Sequence, residues 1–254
     1  MKKINIKKLA VSALCWIFTI IFLTTEAYLA VQHEATRQRS VANNIYDDII
    51  LDLNMTKVAI QTIDIDLYSE KISHAQTSLE SLQSLSFVRQ ENAEYISSID
   101  SYLRLLESKK DLLKEITIIR SDIDHLSTTL KTSYGDKSTI TRDSLKLSPD
   151  SISKLKLDQT KFTFDSVKQT AASINGALDN FAGKATELVN CIDTCYKDAI
   201  KKINDSLSEN FKSFADGAAA FNDTIEKEFS IQIIDEIKSN KPEIANENSF
   251  SRNQ

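Results

Sequence analysis

Two cysteines, Cys191 and Cys195, stand four residues apart in the segment CIDTC. On a helix this spacing places them one turn apart, and their Cα atoms then lie within the range that a disulfide requires. The pair has one intervening residue too many for the redox motif C-x-x-C. We favour a structural role as small buried apolar residues, because Cys195 falls on an apolar helical face. A disulfide, within or between chains, and metal or redox chemistry are the alternatives.

The other residue types that carry chemistry form no known pattern. The histidines, His33, His74 and His125, have no histidine, cysteine or paired carboxylate at the spacing of a metal site. The segment that starts at Asp64 begins like a calcium loop, but it lacks the glycine at the sixth position and has Ala75 in place of the closing glutamate. No glycine-rich phosphate loop or nucleophile motif occurs. The sequence therefore predicts no enzyme, and no catalytic, cofactor-binding or metal-binding residues.

The cysteine pair belongs to the most regular helical pattern in the chain. Apolar residues recur there at steps of four and three, which is typical of a coiled-coil seam. The predicted seam consists of Val167, Ala171, Ile174, Leu178, Phe181, Ala185, Leu188, Ile192, Cys195 and Ala199. Small and large residues alternate along it, which favours the close approach of a partner helix. Gly176 and Gly183 fall on the face away from this seam.

The composition favours helices throughout. Only 4 glycines and 2 prolines occur in 254 residues, and these residues supply most tight turns, so a many-stranded sheet is excluded. Apolar steps of three and four predict long amphipathic helices. The predicted segments are a helical hairpin over 32–135, a loop over 136–147, long coiled-coil helices over 148–240 and a disordered polar tail over 241–254.

Local signals refine two of these segments. We expect a kink near Tyr68 in the first half and one uninterrupted helix from Ile96 to Leu130. Ser148 is placed to cap a helix, and Pro149 suits its first position, so these two residues mark the best-defined helix start in the chain.

A long apolar tract, Leu9 to Val31, follows a basic cytoplasmic segment at 1–8. A helix over the tract is about 34 Å long, enough to span a hydrocarbon core of about 30 Å. Four lysines precede it and two arginines follow it closely, so the positive-inside rule leaves the N-terminus in the cytoplasm and exports the rest. We predict a transmembrane signal-anchor at 9–31. The alternative is a signal peptide that is cleaved near Ala27 to release a secreted protein.

The charge pattern narrows the classes of partner. The net charge is −5, and acidic and basic residues are interspersed, as on the solvated faces of long helices. No basic patch with interleaved aromatic residues occurs, so we expect no nucleic-acid binding.

Together these features predict an all-α protein with an N-terminal transmembrane helix followed by an elongated antiparallel helical bundle or coiled coil. We expect a single-pass protein of the bacterial inner membrane whose bulk is periplasmic, and a eukaryotic secretory membrane is the alternative. It would act as a structural or protein-interaction module, binding a protein partner or itself through its helices. The alternatives are a helical-bundle ligand-sensing domain that needs a separate transducer, and a cleaved secreted helical effector.

Overall fold

A computed structural model describes residues 6–134, 147–192 and 194–242, while the side chains of 6–17, 211, 213–220 and 223 lie outside the description. Within those ranges every regular element is a helix, so the all-α prediction is confirmed. The predicted loop, apart from Leu147, and the part of the predicted tail after Pro242 lie outside the described residues.

The α-helices of the described ranges are numbered in chain order. They are α1 (Ile6–Thr62), α2 (Ile65–Ser84), α3 (Ser86–Glu91), α4 (Ala93–Ser108), α5 (Lys110–Tyr134), α6 (Pro149–Ile152), α7 (Asp165–Cys191), α8 (Lys197–Glu228) and α9 (Gln232–Ser239). Two 3₁₀ turns, Ser153–Leu155 and Gln159–Lys161, lie between α6 and α7.

The first break in helical structure falls at Ile63, so the predicted kink near Tyr68 was wrong in position. Ile63 has a φ of 60°, a left-handed conformation that is uncommon for a β-branched residue. The N–H of Asp64 bonds back to the carbonyl of Ala59 at 2.8 Å, as in a Schellman ending. Asp64 then caps α2, because its carboxylate accepts a hydrogen bond from the N–H of Leu67 at 2.9 Å. An aspartate cap, rather than a glycine or proline, therefore sets this boundary.

Two other predicted helices differ in length from the expectation. The uninterrupted helix from Ile96 to Leu130 is broken at Lys109, between α4 and α5. The helix start at Ser148 is confirmed, since its hydroxyl accepts from the N–H of Ser151 at 3.3 Å and Pro149 opens α6. However, α6 ends after one turn, at Ile152, so the segment 148–240 holds several helices.

One compact unit comprises the described residues up to Leu53, Ser73–Leu103, and those from Ile234 onward. Its core includes Tyr46, whose ring meets that of the partly buried Tyr95 edge to face, with centroids 5.3 Å apart. The hydroxyl of Tyr95 donates to the carbonyl of Ile237 at 2.8 Å, which ties α4 to α9. Burial raises the pKa of both tyrosines to about 12.

A second compact unit comprises Asn54–Ile72 and the described residues of Arg104–Ile233. Within it, α7 and α8 pack against each other as a helical hairpin, and α5 and α6 also contact α7. Tyr68 is fully buried in this unit, where its ring meets that of Phe229 edge to face and its hydroxyl donates to the carbonyl of Leu106 at 2.6 Å.

No helix is long and apolar enough to cross a membrane among the residues whose side chains the structure describes. The side chains of residues 9–17, which begin the predicted span, fall outside that part of the chain.

Candidate functional site

The predicted seam forms a buried face along α7. Seven of its members are buried, namely Val167, Ala171, Ile174, Leu178, Phe181, Ala185 and Leu188. The seam does not continue to Ala199, because α7 ends at Cys191 and α8 begins at Lys197. Cys195 is exposed, and Ile192 and Ala199 are only partly buried, so including these three in the seam was wrong. Heptad spacing does not reveal that the chain turns back here to pack α8 on α7.

The tip of this hairpin is closed by a disulfide between Cys191 and Cys195. Cys191 is buried, whereas Cys195 is open to solvent. The backbone N–H of Cys195 also donates to the carbonyl of Cys191 at 2.8 Å, so a hydrogen bond and a disulfide both close the turn. Tyr196 follows at once and is 91% exposed. The tip therefore presents an exposed aromatic side chain directly after a cross-linked residue, and aromatic residues are enriched among the residues that dominate protein contact surfaces.

A buried carboxylate and an exposed histidine meet in the first unit. Nδ1 of His74 on α2 lies 2.5 Å from Oδ2 of Asp52 on α1. The Asp52 side chain is 6% exposed and that of His74 is 61% exposed. Spacing in the sequence does not reveal this pair, because Asp52 lies 22 residues before His74 in the chain. The pair therefore joins α1 to α2.

A polar groove of about 640 Å³ opens in the second unit, beside the left-handed residue Ile63. The polar side chains that line it are Thr62, Thr117, Arg120, Ser121, Asp124, His125 and Thr128. Arg120 also borders a smaller groove with Gln61 and Glu226. His125 and Asp124 are adjacent in the sequence, and both line this groove.

Arg120 and Asp124 carry opposite charges one helical turn apart on α5, but they form no ion pair with each other. Neither side chain has a hydrogen bond or ion pair with any other residue in the described ranges. By contrast, Gln61 and Glu226 in the smaller groove are hydrogen-bonded to each other at 3.4 Å. A one-turn spacing of arginine and aspartate was the only signal in the sequence, and such spacing usually indicates a surface pair.

No three histidine, cysteine, aspartate or glutamate side chains converge on a possible metal position in the described part of the chain. Comparisons of the chain with protein-family models, with curated proteins and with solved structures found no match.

Proposed function

We propose that the chain is a single-pass membrane-anchored helical protein, exported beyond the tract Leu9 to Val31, that acts as a protein-interaction module of the cell envelope. The observation that carries the proposal is the surface of α1 between Phe18 and Val31. Its large apolar side chains are half to two-thirds exposed and point in all directions around the helix: Phe18, Ile20, Ile21, Phe22, Leu23, Tyr28, Leu29 and Val31. A helix that is apolar on every side is stable when lipid or protein surrounds it.

The polar side chains of this stretch support the same environment. The hydroxyls of Thr24 and Thr25 both donate to the carbonyl of Ile21, at 2.9 and 2.8 Å. These bonds satisfy the hydroxyl protons within the helix, as an apolar surrounding demands. Helix α1 runs without interruption from Ile6 to Thr62, which favours an anchor continuous with the exported part over a cleaved leader.

The hairpin tip is the surface that we propose for the protein partner. Tyr196 has the largest exposure of any large apolar side chain in the described residues, and the disulfide beside it limits the entropy lost on binding. A partner that buries this ring gains apolar contact area at little conformational cost.

The anchor is tested by expressing the full chain in a bacterium and separating membrane from soluble fractions. We expect membrane retention after carbonate washing, an intact basic N-terminus by mass spectrometry, and an exported part that protease digests in spheroplasts. Ile21→Lys should weaken retention, because a lysine near the centre of a span costs about 3 kcal/mol. Leu51→Lys, also on α1 and exposed, is the matched control and should be retained. A soluble chain that begins at Tyr28 would instead establish the secreted alternative.

The interaction surface is tested with a photo-crosslinking amino acid placed at position 196 of the exported, anchored chain. The matched control carries it at position 118, where Ile118 is also exposed in the second unit. Specific adducts from position 196, with none from 118, would support the proposal. A chain that stays monomeric and yields no adduct from either position contradicts it.

A further inference from the structure

The geometry points to a binding site for a small zwitterion, the α-carboxylate and α-ammonium groups of a free amino acid, in the groove around Arg120. This inference does not depend on the membrane anchor, and it goes beyond the proposed function. It begins with the two opposite charges, Arg120 and Asp124, that face one groove and leave each other unpaired.

An arginine and an aspartate one turn apart on a helix can usually reach each other. Four other pairs in this chain, each three residues apart, do form such contacts; Lys114 and Asp111, for example, are 2.7 Å apart. Arg120 and Asp124 instead leave a gap between the guanidinium and the carboxylate. A ligand that carries both charges can fill this gap and neutralise both groups at once. A simple anion bound to Arg120 would instead be repelled by the carboxylate of Asp124.

The hydroxyl groups in the groove add a second preference, for a ligand that can donate hydrogen bonds. Thr117 donates its proton to the carbonyl of Leu113 at 2.9 Å, and Thr62 donates to the carbonyl of Val58 at 2.9 Å. Towards a ligand both oxygens can therefore act only as hydrogen-bond acceptors, while Ser121 and Thr128 add hydroxyls that can also donate. Acceptors of this kind suit an ammonium group, which has three donors and no acceptor. The five N–H donors of Arg120 suit a carboxylate, which accepts two parallel bonds from a guanidinium.

The groove has room for such a ligand. Its volume of about 640 Å³ lies within the range of small-molecule sites. The half-buried side chain of Ile63 supplies an apolar portion of the wall, against which the ligand's own side chain would lie. We assign the carboxylate to Arg120 and the ammonium to Asp124.

The test is isothermal titration calorimetry on the purified full chain in detergent, with each of the common amino acids as the probe. At least one should bind saturably. Its N-acetyl derivative, which lacks the ammonium, and its amide, which lacks the carboxylate, should each bind at least tenfold more weakly. Arg120→Gln and Asp124→Asn should each weaken binding by tenfold or more. Arg120→Lys should give an intermediate loss, because lysine keeps the charge but not the paired geometry.

Arg89→Gln is the matched control, since Arg89 is an exposed arginine in the other unit. It should leave the affinity unchanged. Circular dichroism melts should show that the exposed groove variants fold like the parent. The proposal is overturned if no amino acid binds at millimolar concentration, if Arg120→Gln binds like the parent, or if acetate or the N-acetyl derivative binds as tightly as the free amino acid.

Discussion

Cys191 and Cys195 are joined by a disulfide with their Cα atoms 4.9 Å apart, at the place where α7 ends and the chain turns back into α8. The bridge closes a loop of only a few residues, so its effect on the entropy of the unfolded chain is small.

We expect reduction of this disulfide to lower the free energy of unfolding by about 2 kcal/mol or less. The helices should remain, because the packing of α7 against α8 rests on the buried seam. Thermal melts followed by circular dichroism, with and without reductant, measure the change. The Cys191→Ser/Cys195→Ser double variant should melt like the reduced parent and should not respond to reductant. Loss of helical signal on reduction would mean that the bridge holds the hairpin together.

Asn175 pairs with the backbone of Leu157 through both ends of its amide. Its oxygen accepts from the N–H of Leu157 at 2.7 Å, and its nitrogen donates to the carbonyl of Leu157 at 2.9 Å. Asn175→Ala should lower the free energy of unfolding by about 2 kcal/mol, because two backbone groups lose their partner. Asn180→Ala, at an exposed position of the same helix, should change it by less than about 0.5 kcal/mol. Equal effects in urea unfolding would contradict this role.

Two glycines lie on the exposed face of α7 with open space around them. A Cβ added to Gly176 or Gly183 would meet no atom within 4 Å, and neither glycine has a positive φ. Each glycine-to-alanine variant should therefore raise the free energy of unfolding by about 0.5–1 kcal/mol. Ala172→Gly, at an exposed position of the same helix, should lower it by a similar amount. Chemical denaturation of the three variants measures these changes, and a destabilising Gly176→Ala would reveal an unseen neighbour on that face.

Glu228 and Lys109 form a partly buried ion pair with a separation of 2.7 Å. The hydrogen bond from Lys109 lowers the pKa of Glu228 below its usual value of 4.5. The pair therefore stabilises the fold above pH 4.5, and this contribution is lost as the pH falls through the lowered pKa. Glu228→Gln should cost about 1 kcal/mol at neutral pH and progressively less below pH 4.5. Glu187→Gln, in the more exposed pair with Lys184, is the control and should cost little at any pH.

The hydroxyls of two neighbouring tyrosines differ in their hydrogen bonding. That of Tyr46 is buried and makes no hydrogen bond of normal geometry with the described residues, although Asn92 lies near enough to influence its pKa. That of Tyr95 donates to the carbonyl of Ile237. Tyr46→Phe should therefore leave stability unchanged or raised, whereas Tyr95→Phe should lower it by about 1 kcal/mol. A marked loss in Tyr46→Phe would indicate a bound water or a bond to Asn92.

The two halves of the chain differ in how far local pattern could predict them. Ser148 and Pro149 predicted a helix start correctly, because capping depends on residues within one turn. The break at Ile63 could not be predicted from local pattern, since a β-branched residue seldom takes a left-handed conformation and no glycine lies at the position. Spacing also found the buried face of α7, but could not show that its repeat stops at Cys191.

The sequence by itself determined the helical class, the apolar tract before Val31 and the buried face from Val167 to Leu188, because composition and periodicity are local properties of the chain. The tertiary structure alone decided that His74 meets Asp52, that the cysteine pair closes a hairpin tip, and that Arg120 and Asp124 share an open groove. Each of these relationships depends on how the chain folds back, and so on which side chains become neighbours in space. No repeat in the sequence carries that information.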